Sequence, residues 1–237
     1  EARYELVKTM RASILVLGPL LTKYGKARIA LPGGCAIGTR PVNFHLDSLK
    51  KMGAEINLKN GYIEASSKKL IGAEIRFDGI TVTGTENLMM AATLANGITK
   101  LTNVAREPEI IDLANMLNSM GAKIKGAGSD EIIITGVSEL KGTTYDIPAD
   151  RIEAGTYLAA AAVTNGNITV QGINPKRLMK VIYKLDDTGA DISYDKDSIS
   201  ISMNRDRPRP VDVTTAPFPE FPTDMQAQFS VINAISS

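Results

Sequence analysis

The chain's one cysteine, Cys35, stands in the stretch LPGGCAIGTRP, Leu31 to Pro41, behind Gly33 and Gly34 and five residues ahead of Arg40. Glycines let such a loop move, and a nearby guanidinium favours thiolate over thiol. A thiol poised near neutrality can serve as nucleophile or as general acid. A cysteine hydrolase would need a histidine base, and the single candidate is His45 in RPVNFHLDSLKKM. Helix geometry gives no assurance that it reaches back to Cys35, so His45 reads as a surface or substrate-edge residue. One His and one Cys do not make a metal site, and no cofactor is expected.

Arg40 precedes Pro41 at what reads as a helix start, with Val42, Asn43 and Phe44 following. Free N–H groups there suit a phosphate, which a guanidinium can bind through two donors. Lys8 and Arg11 in LVKTMRAS read as i,i+3 neighbours on a solvated helix face. Asp224 in FPTDMQAQF has two readings. Thr223 and Gln226 could form a capping box with Asp224 as an ordinary first-turn acid, or the carboxylate could be held out at the end of a proline-rich connector for chemistry.

The elements that must position these residues repeat. Gly-Ala pairs at Gly53, Gly121 and Gly189 are spaced by 68 residues, which calls for a repeat architecture. Around each pair the order is a small-residue helix, a Gly turn, a short strand, an amphipathic helix ending at Gly-Ala, then two β-like runs. Each glycine reads as the C′ residue of its helix, where positive φ is cheap only for Gly. The class expected is α/β, built from βαβαββ-type units that cover one another's apolar faces. From first strand to Gly-Ala takes 25 residues in the first unit (Arg28 to Gly53), against 22 and 21 in the others. The surplus falls in PGGCAIGTRP, which the shorter units show packing does not need.

Asp150 and Glu153 read as the capping box of a helix, and a domain boundary is expected near Pro148, giving 1–148 and 149–237. With 27 basic and 26 acidic residues the net charge is +1, so no global field draws in nucleic acid or an anionic membrane. A lone cysteine fits a reducing cytoplasm, and no signal or spanning segment is evident. The chain begins without Met and stops inside the helical-looking MQAQFSVINAISS, as an internal segment would.

LVKTMRAS, LPGGCAIGTRPV, TGTENLMMAATLA, AREPEI, DRIEAGTYLAAAA and FPTDMQAQF, in that order, resemble the enolpyruvyl transferase family, in its branch acting on UDP-N-acetylglucosamine. The resemblance implies a two-domain inside-out α/β barrel (prism), both domains incomplete here, the first lacking its opening repeat, with substrates in the cleft between them. It implies transfer of the enolpyruvyl group of phosphoenolpyruvate to the sugar 3′-hydroxyl, the first committed step of peptidoglycan synthesis, with the rest of the same protein supplying the missing parts. By resemblance Cys35 is the acid that protonates the enolpyruvyl methylene, and the thiol that fosfomycin alkylates. Asp224 matches the carboxylate serving the sugar hydroxyl. Arg11 and Arg40 match phosphate- and substrate-contacting arginines, Arg40 to Phe44 match the segment lining the nucleotide, and Thr223 with Asp224 matches substrate-binding positions. Asn43-Phe44 stands where the family pattern reads Asp-Leu, and Gly79 where some members carry lysine. The alternatives are a repeat module that binds a nucleotide sugar without chemistry, and the sister transferase acting on shikimate 3-phosphate.

With Arg40 and loop amides favouring its anion, Cys35 is expected to titrate below about 8.5. Alkylation rate against pH reads this directly, and a midpoint at or above the free-thiol value would remove the case for a reactive loop.

Overall fold

The computed structural model describes residues 3–7, 10–31 and 42–237. Lys8, Cys35, Arg40 and Pro41 therefore lie outside the described residues. The chain separates into two compact units, Glu1–Tyr145 and Asp146–Ser237, each with its own hydrophobic core.

The first unit opens with α1 (Tyr4–Val7) and a 3₁₀ turn, Arg11–Val16, which runs into α2 (Leu17–Tyr24). Met10 between them is extended, at φ −134° and ψ 112°. Arg11 opens the 3₁₀ turn, and the expected pairing of Lys8 with Arg11 falls outside the described residues. Next come β1 (Lys26–Ala30), α3 (Asn43–Lys51), β2 (Glu55–Lys59) and β3 (Tyr62–Ser66). The middle repeat follows as β4 (Glu74–Arg76), α4 (Val82–Ala92), β5 (Ile98–Thr102), α5 (Pro108–Ser119), β6 (Lys123–Lys125) and β7 (Glu131–Thr135).

The second unit contains α6 (Arg151–Val163), β8 (Asn167–Gln171), a 3₁₀ turn Pro175–Arg177, α7 (Met179–Asp187), β9 (Asp191–Tyr194) and β10 (Ser198–Ser202). After the proline-rich connector come a 3₁₀ turn, Thr223–Met225, and α8 (Gln226–Ile235).

The sheets are ordered β1-β3-β2, β4-β5-β7-β6 and β8-β10-β9. In each the last strand of the repeat sits between the two earlier ones, antiparallel to both. β4 alone is parallel to its neighbour, β5. Parallel neighbours need a crossover, and α4 provides it, so residues 74–135 form a full βαβαββ unit. The glycines ending α3, α5 and α7 sit at φ +88°, +100° and +88°, the left-handed conformation that their repetition implied.

Within each unit the helices carry most of the buried residues and the outer strands are largely exposed, as in part of an inside-out α/β barrel. Asp150 caps α6, its Oδ1 accepting from Ile152 N and Glu153 N at 2.7 and 3.2 Å. Helix α4 is buried on almost every side, through Gly84, Thr85, Asn87, Leu88, Met89, Ala91 and Ala92. Helix α2 presses on it at Gly18, where a Cβ would lie 2.4 Å from Asn87 Oδ1, 2.6 Å from the Asn87 carbonyl oxygen and 3.1 Å from Ala91 Cβ.

No flexible side chain can yield at that backbone contact, so Gly18→Ala must push the helices apart. A loss of about 3 kcal/mol is expected, read as a lower denaturant midpoint of the full-length protein. An unchanged midpoint would mean that α2 and α4 do not meet this closely.

Candidate functional site

In the first unit the site residues gather where the Arg11 turn, α3 and α4 converge. Val42 sits at φ −90° and ψ 6°, and its carbonyl accepts from His45 N at 3.0 Å and Leu46 N at 3.2 Å. That closes the first turn of α3 and leaves Asn43 exposed and Phe44 half-buried. The Phe44 ring meets Phe77 edge-on, centroids 6.4 Å apart, a favoured aromatic geometry. A Cβ at Gly79 would lie 3.7 Å from Phe44 Cζ, an ordinary contact, so sterics do not exclude a side chain there.

His45 is 4% exposed, which corrects the surface reading. Its position on α3 turns it onto α4, and its polar partners come from that helix. Nδ1 lies 2.9 Å from Asn87 Nδ2 and Nε2 lies 3.4 Å from Thr83 Oγ1. Burial first, and the Arg11 guanidinium second, lower its pKa from 6.5 to about 4. Asn87, wholly enclosed, also accepts the Gly18 N–H at 2.7 Å and donates to the Ile14 carbonyl at 3.2 Å. Thr85 donates to the Thr81 carbonyl at 2.7 Å and accepts from Ala105 N at 3.1 Å, tying α4 to the approach of α5. Thr81 caps α4 by accepting from Gly84 N at 3.1 Å. Of these the sequence singled out His45, as a surface or substrate-edge residue, and not Thr83 or Asn87. The only signal was TGTEN at the head of a small-residue helix.

Beside these, Glu86 on α4 faces the start of α5. Burial, and then the carboxylates of Glu109 and Glu107, raise its pKa from 4.5 to about 7.

In the second unit Thr223 and Asp224 are exposed on their 3₁₀ turn. The turn's N-cap residue is Pro222, without a side-chain cap bond, so the expected Thr223–Gln226 capping box does not form. A box needs an N-cap hydroxyl one residue outside the helix, and Thr223 is already inside the turn. What holds the turn is Met225, fully buried. A Cβ at Gly155 of α6 would lie 3.0 Å from its Sδ and Cε. The Gln228 amide lies 2.8 Å from Thr156 Oγ1. Phe221 and Phe229 stack edge-on at 4.9 Å.

The structure thus gathers Arg11 and Val42–Phe44 in the first unit and carries Thr223 and Asp224 in the second. Among the described residues no group of His, Cys, Asp and Glu could hold a metal ion, and no helix is long and apolar enough to cross a membrane.

Tandem βαβαββ repeats with buried helices and polar helix starts define an α/β scaffold of the enolpyruvyl-transferase type. The sequence family described as EPSP synthase (3-phosphoshikimate 1-carboxyvinyltransferase) matches residues 1–236, and the chain belongs to that family. It is 59% identical over 235 residues to the UDP-N-acetylglucosamine 1-carboxyvinyltransferase of Ruthia magnifica subsp. Calyptogena magnifica, spanning 99% of this chain and 56% of that protein. To the enzyme of that name from Geotalea uraniireducens (strain Rf4) it is 55% identical over 236 residues, 100% of this chain and 56% of the other. The chain therefore spans about half the length of these curated relatives. Among solved structures, the enolpyruvyl transferase NikO from Streptomyces tendae superposes with TM-score 0.82 at 20% identity, over 100% of this chain and 57% of that one. An EPSP synthase from Acinetobacter baumannii gives 0.64 at 23%, over 86% and 48%. These two likenesses concern the fold alone.

Glu86 generates a pH dependence. Its folded pKa exceeds the unfolded one, so the stability carried by its proton is complete below pH 4.5 and is lost as pH rises through 7. Glu86→Gln is therefore expected to gain in Tm relative to the parent between pH 5 and pH 8. A difference that stays flat across that range would contradict the raised pKa.

Proposed function

We propose that the protein of which this chain spans about half transfers the enolpyruvyl group of phosphoenolpyruvate to the 3′-hydroxyl of UDP-N-acetylglucosamine, releasing phosphate. The observation that carries this is the 59% identity, over 99% of this chain, to a transferase bearing that name. The sister reaction on shikimate 3-phosphate is the family's other activity, and the Gly-Gly-Cys loop and these identities favour the sugar nucleotide.

In the addition step the 3′-oxygen bonds to C2 of phosphoenolpyruvate while Cys35 delivers a proton to C3. Asp224 takes the hydroxyl proton. In the elimination step C3 gives up a proton and the C2–O bond to phosphate breaks, restoring the double bond on the sugar ether. Arg11 and Arg40 bind anionic oxygens, and Pro41, Val42, Asn43 and Phe44 line the nucleotide, with Thr223 beside Asp224. The half-buried Phe44 ring against Phe77 and the exposed Asn43 suit a wall with one apolar and one polar side. The reaction uses no cofactor or metal. Its setting is the cytoplasm, at the first committed step of peptidoglycan synthesis, and so in cell-wall formation, shape and division. Fosfomycin would inhibit it by alkylating Cys35. Turnover needs the parts of the protein beyond this segment, the two domains, 1–148 and 149–237, being incomplete without them.

The test is phosphate release by the full-length protein, expected only when phosphoenolpyruvate and UDP-N-acetylglucosamine are both present. Release with shikimate 3-phosphate instead would assign the sister activity, and binding of UDP-N-acetylglucosamine without release would leave a binding module. A carboxyl can replace a thiol as an acid but not readily as a nucleophile. Cys35→Asp should thus keep substantial activity and resist fosfomycin, whereas Cys35→Ala should lose most activity. If both are equally dead although folded and able to bind the sugar nucleotide, the general-acid role falls. Asp224→Asn should fold with unchanged Tm and show a large fall in kcat, while a shift in Tm alone would return Asp224 to a structural part.

A further inference from the structure

The hydrogen bonds at the centre of the first unit fix more than packing. Gly18 N–H, 2.7 Å from Asn87 Oδ1, sets the orientation of that amide, because the reverse orientation would bring two N–H groups together. Asn87 Nδ2 then has one hydrogen for the Ile14 carbonyl at 3.2 Å and one for His45 Nδ1 at 2.9 Å. An amide hydrogen can be accepted only by a ring nitrogen that carries none. His45 Nδ1 is therefore bare, and the ring's hydrogen sits on Nε2, facing Thr83 Oγ1 at 3.4 Å. A protonated ring would set hydrogen against hydrogen at Nδ1, inside a buried site. The charged group facing it is Arg11, while α4 contributes the neutral Thr83 and Asn87.

The anchors of this network are not scattered. Ile14 and Gly18 belong to the turn and helix that begin with Arg11. His45 directly follows Val42–Phe44. Thr83 and Asn87 lie on α4. Apolar contact alone would hold these three segments together yet let them slide, whereas a fully paired buried amide fixes their register.

Resting on the transferase reading above, we propose that Asn87 and His45 are positioning residues of the substrate site. The amide holds His45 as the neutral Nε2–H tautomer, and through it sets the first turn of α3, with Val42–Phe44, against the turn that carries Arg11. Neither residue touches the reacting atoms. Their effect should fall on sugar-nucleotide binding and not on the chemical step.

The test uses the full-length enzyme with ¹⁵N-labelled histidine, the His45 signal being assigned by its loss in His45→Asn. In the parent, the Nε2–H tautomer is expected at pH 7 and should still predominate at pH 5. Asn87→Asp puts acceptors where Nδ1 found a donor. His45 should then be protonated at pH 7, and KM for UDP-N-acetylglucosamine should rise at least tenfold, with kcat within threefold. If Asn87→Asp does not fold, His45 variants decide. His45→Asn keeps an acceptor at the Nδ1 position and should hold KM within threefold of the parent, whereas His45→Leu should raise it tenfold. An Nδ1–H tautomer in the parent, or equal KM for parent, Asn and Leu variants, overturns the positioning role while leaving a working transferase intact. A parent that neither binds UDP-N-acetylglucosamine nor releases phosphate sinks the transferase reading and this role with it.

Discussion

A helix enclosed on nearly all sides can carry polar groups only where each finds a partner, since an unpaired buried donor or acceptor costs on the order of 1–3 kcal/mol. Helix α4 lives under that constraint, and the first unit is arranged around it. Its small residues let α2 approach to backbone contact at Gly18. Its two fully enclosed polar residues are both paired, Thr85 by Ala105 N and the Thr81 carbonyl and Asn87 by Gly18, Ile14 and His45, while Thr81 caps the helix by accepting from Gly84 N. Because those partners lie on the segments bearing Arg11 and Val42–Phe44, meeting the helix's needs also aligns the candidate ligands.

The second unit solves the matching problem differently. Counting back from Asn96-Gly97 and Asn165-Gly166, the Glu86-Asn87 pair of α4 corresponds to Gly155-Thr156 of α6. Where α4 carries a carboxylate and an amide, α6 offers a gap and a hydroxyl. The gap receives Met225 and the hydroxyl meets Gln228. Two repeats of one backbone plan can therefore be packed either way. Packing does not dictate the Glu-Asn pair, and a role beyond packing is the simpler reason for it.

The features legible in the sequence are those with local causes. Gly53, Gly121 and Gly189 could be read because positive φ is a property of one residue, and their even spacing exposed the repeat. Pro108 at the start of α5 and Asp150 at the start of α6 are likewise local signals. Where the reading failed, the cause was distant or competing. His45 lies in a nine-residue helix, and the Asn87 that receives it is 42 residues further on, so its buried polar partner has no signature in its own neighbourhood. Thr223 looked like a cap because a 3₁₀ turn before α8 moves the helix start past it.

That last displacement bears on what Asp224 is for. Phe221, Met225 and Phe229 go into the core of the second unit, and the alternation leaves Asp224 pointing to solvent. With no capping box formed, a first-turn acid at that point would contribute at most about 1 kcal/mol through the helix dipole. Among the described residues its carboxylate makes no hydrogen bond or ion pair. Nothing in the second unit's packing calls for an acid at position 224, yet three buried anchors and a glycine in α6 hold the turn that presents it. The packing of those neighbours presents an exposed carboxylate, and the base role proposed above rests on that placement within reach of a bound hydroxyl.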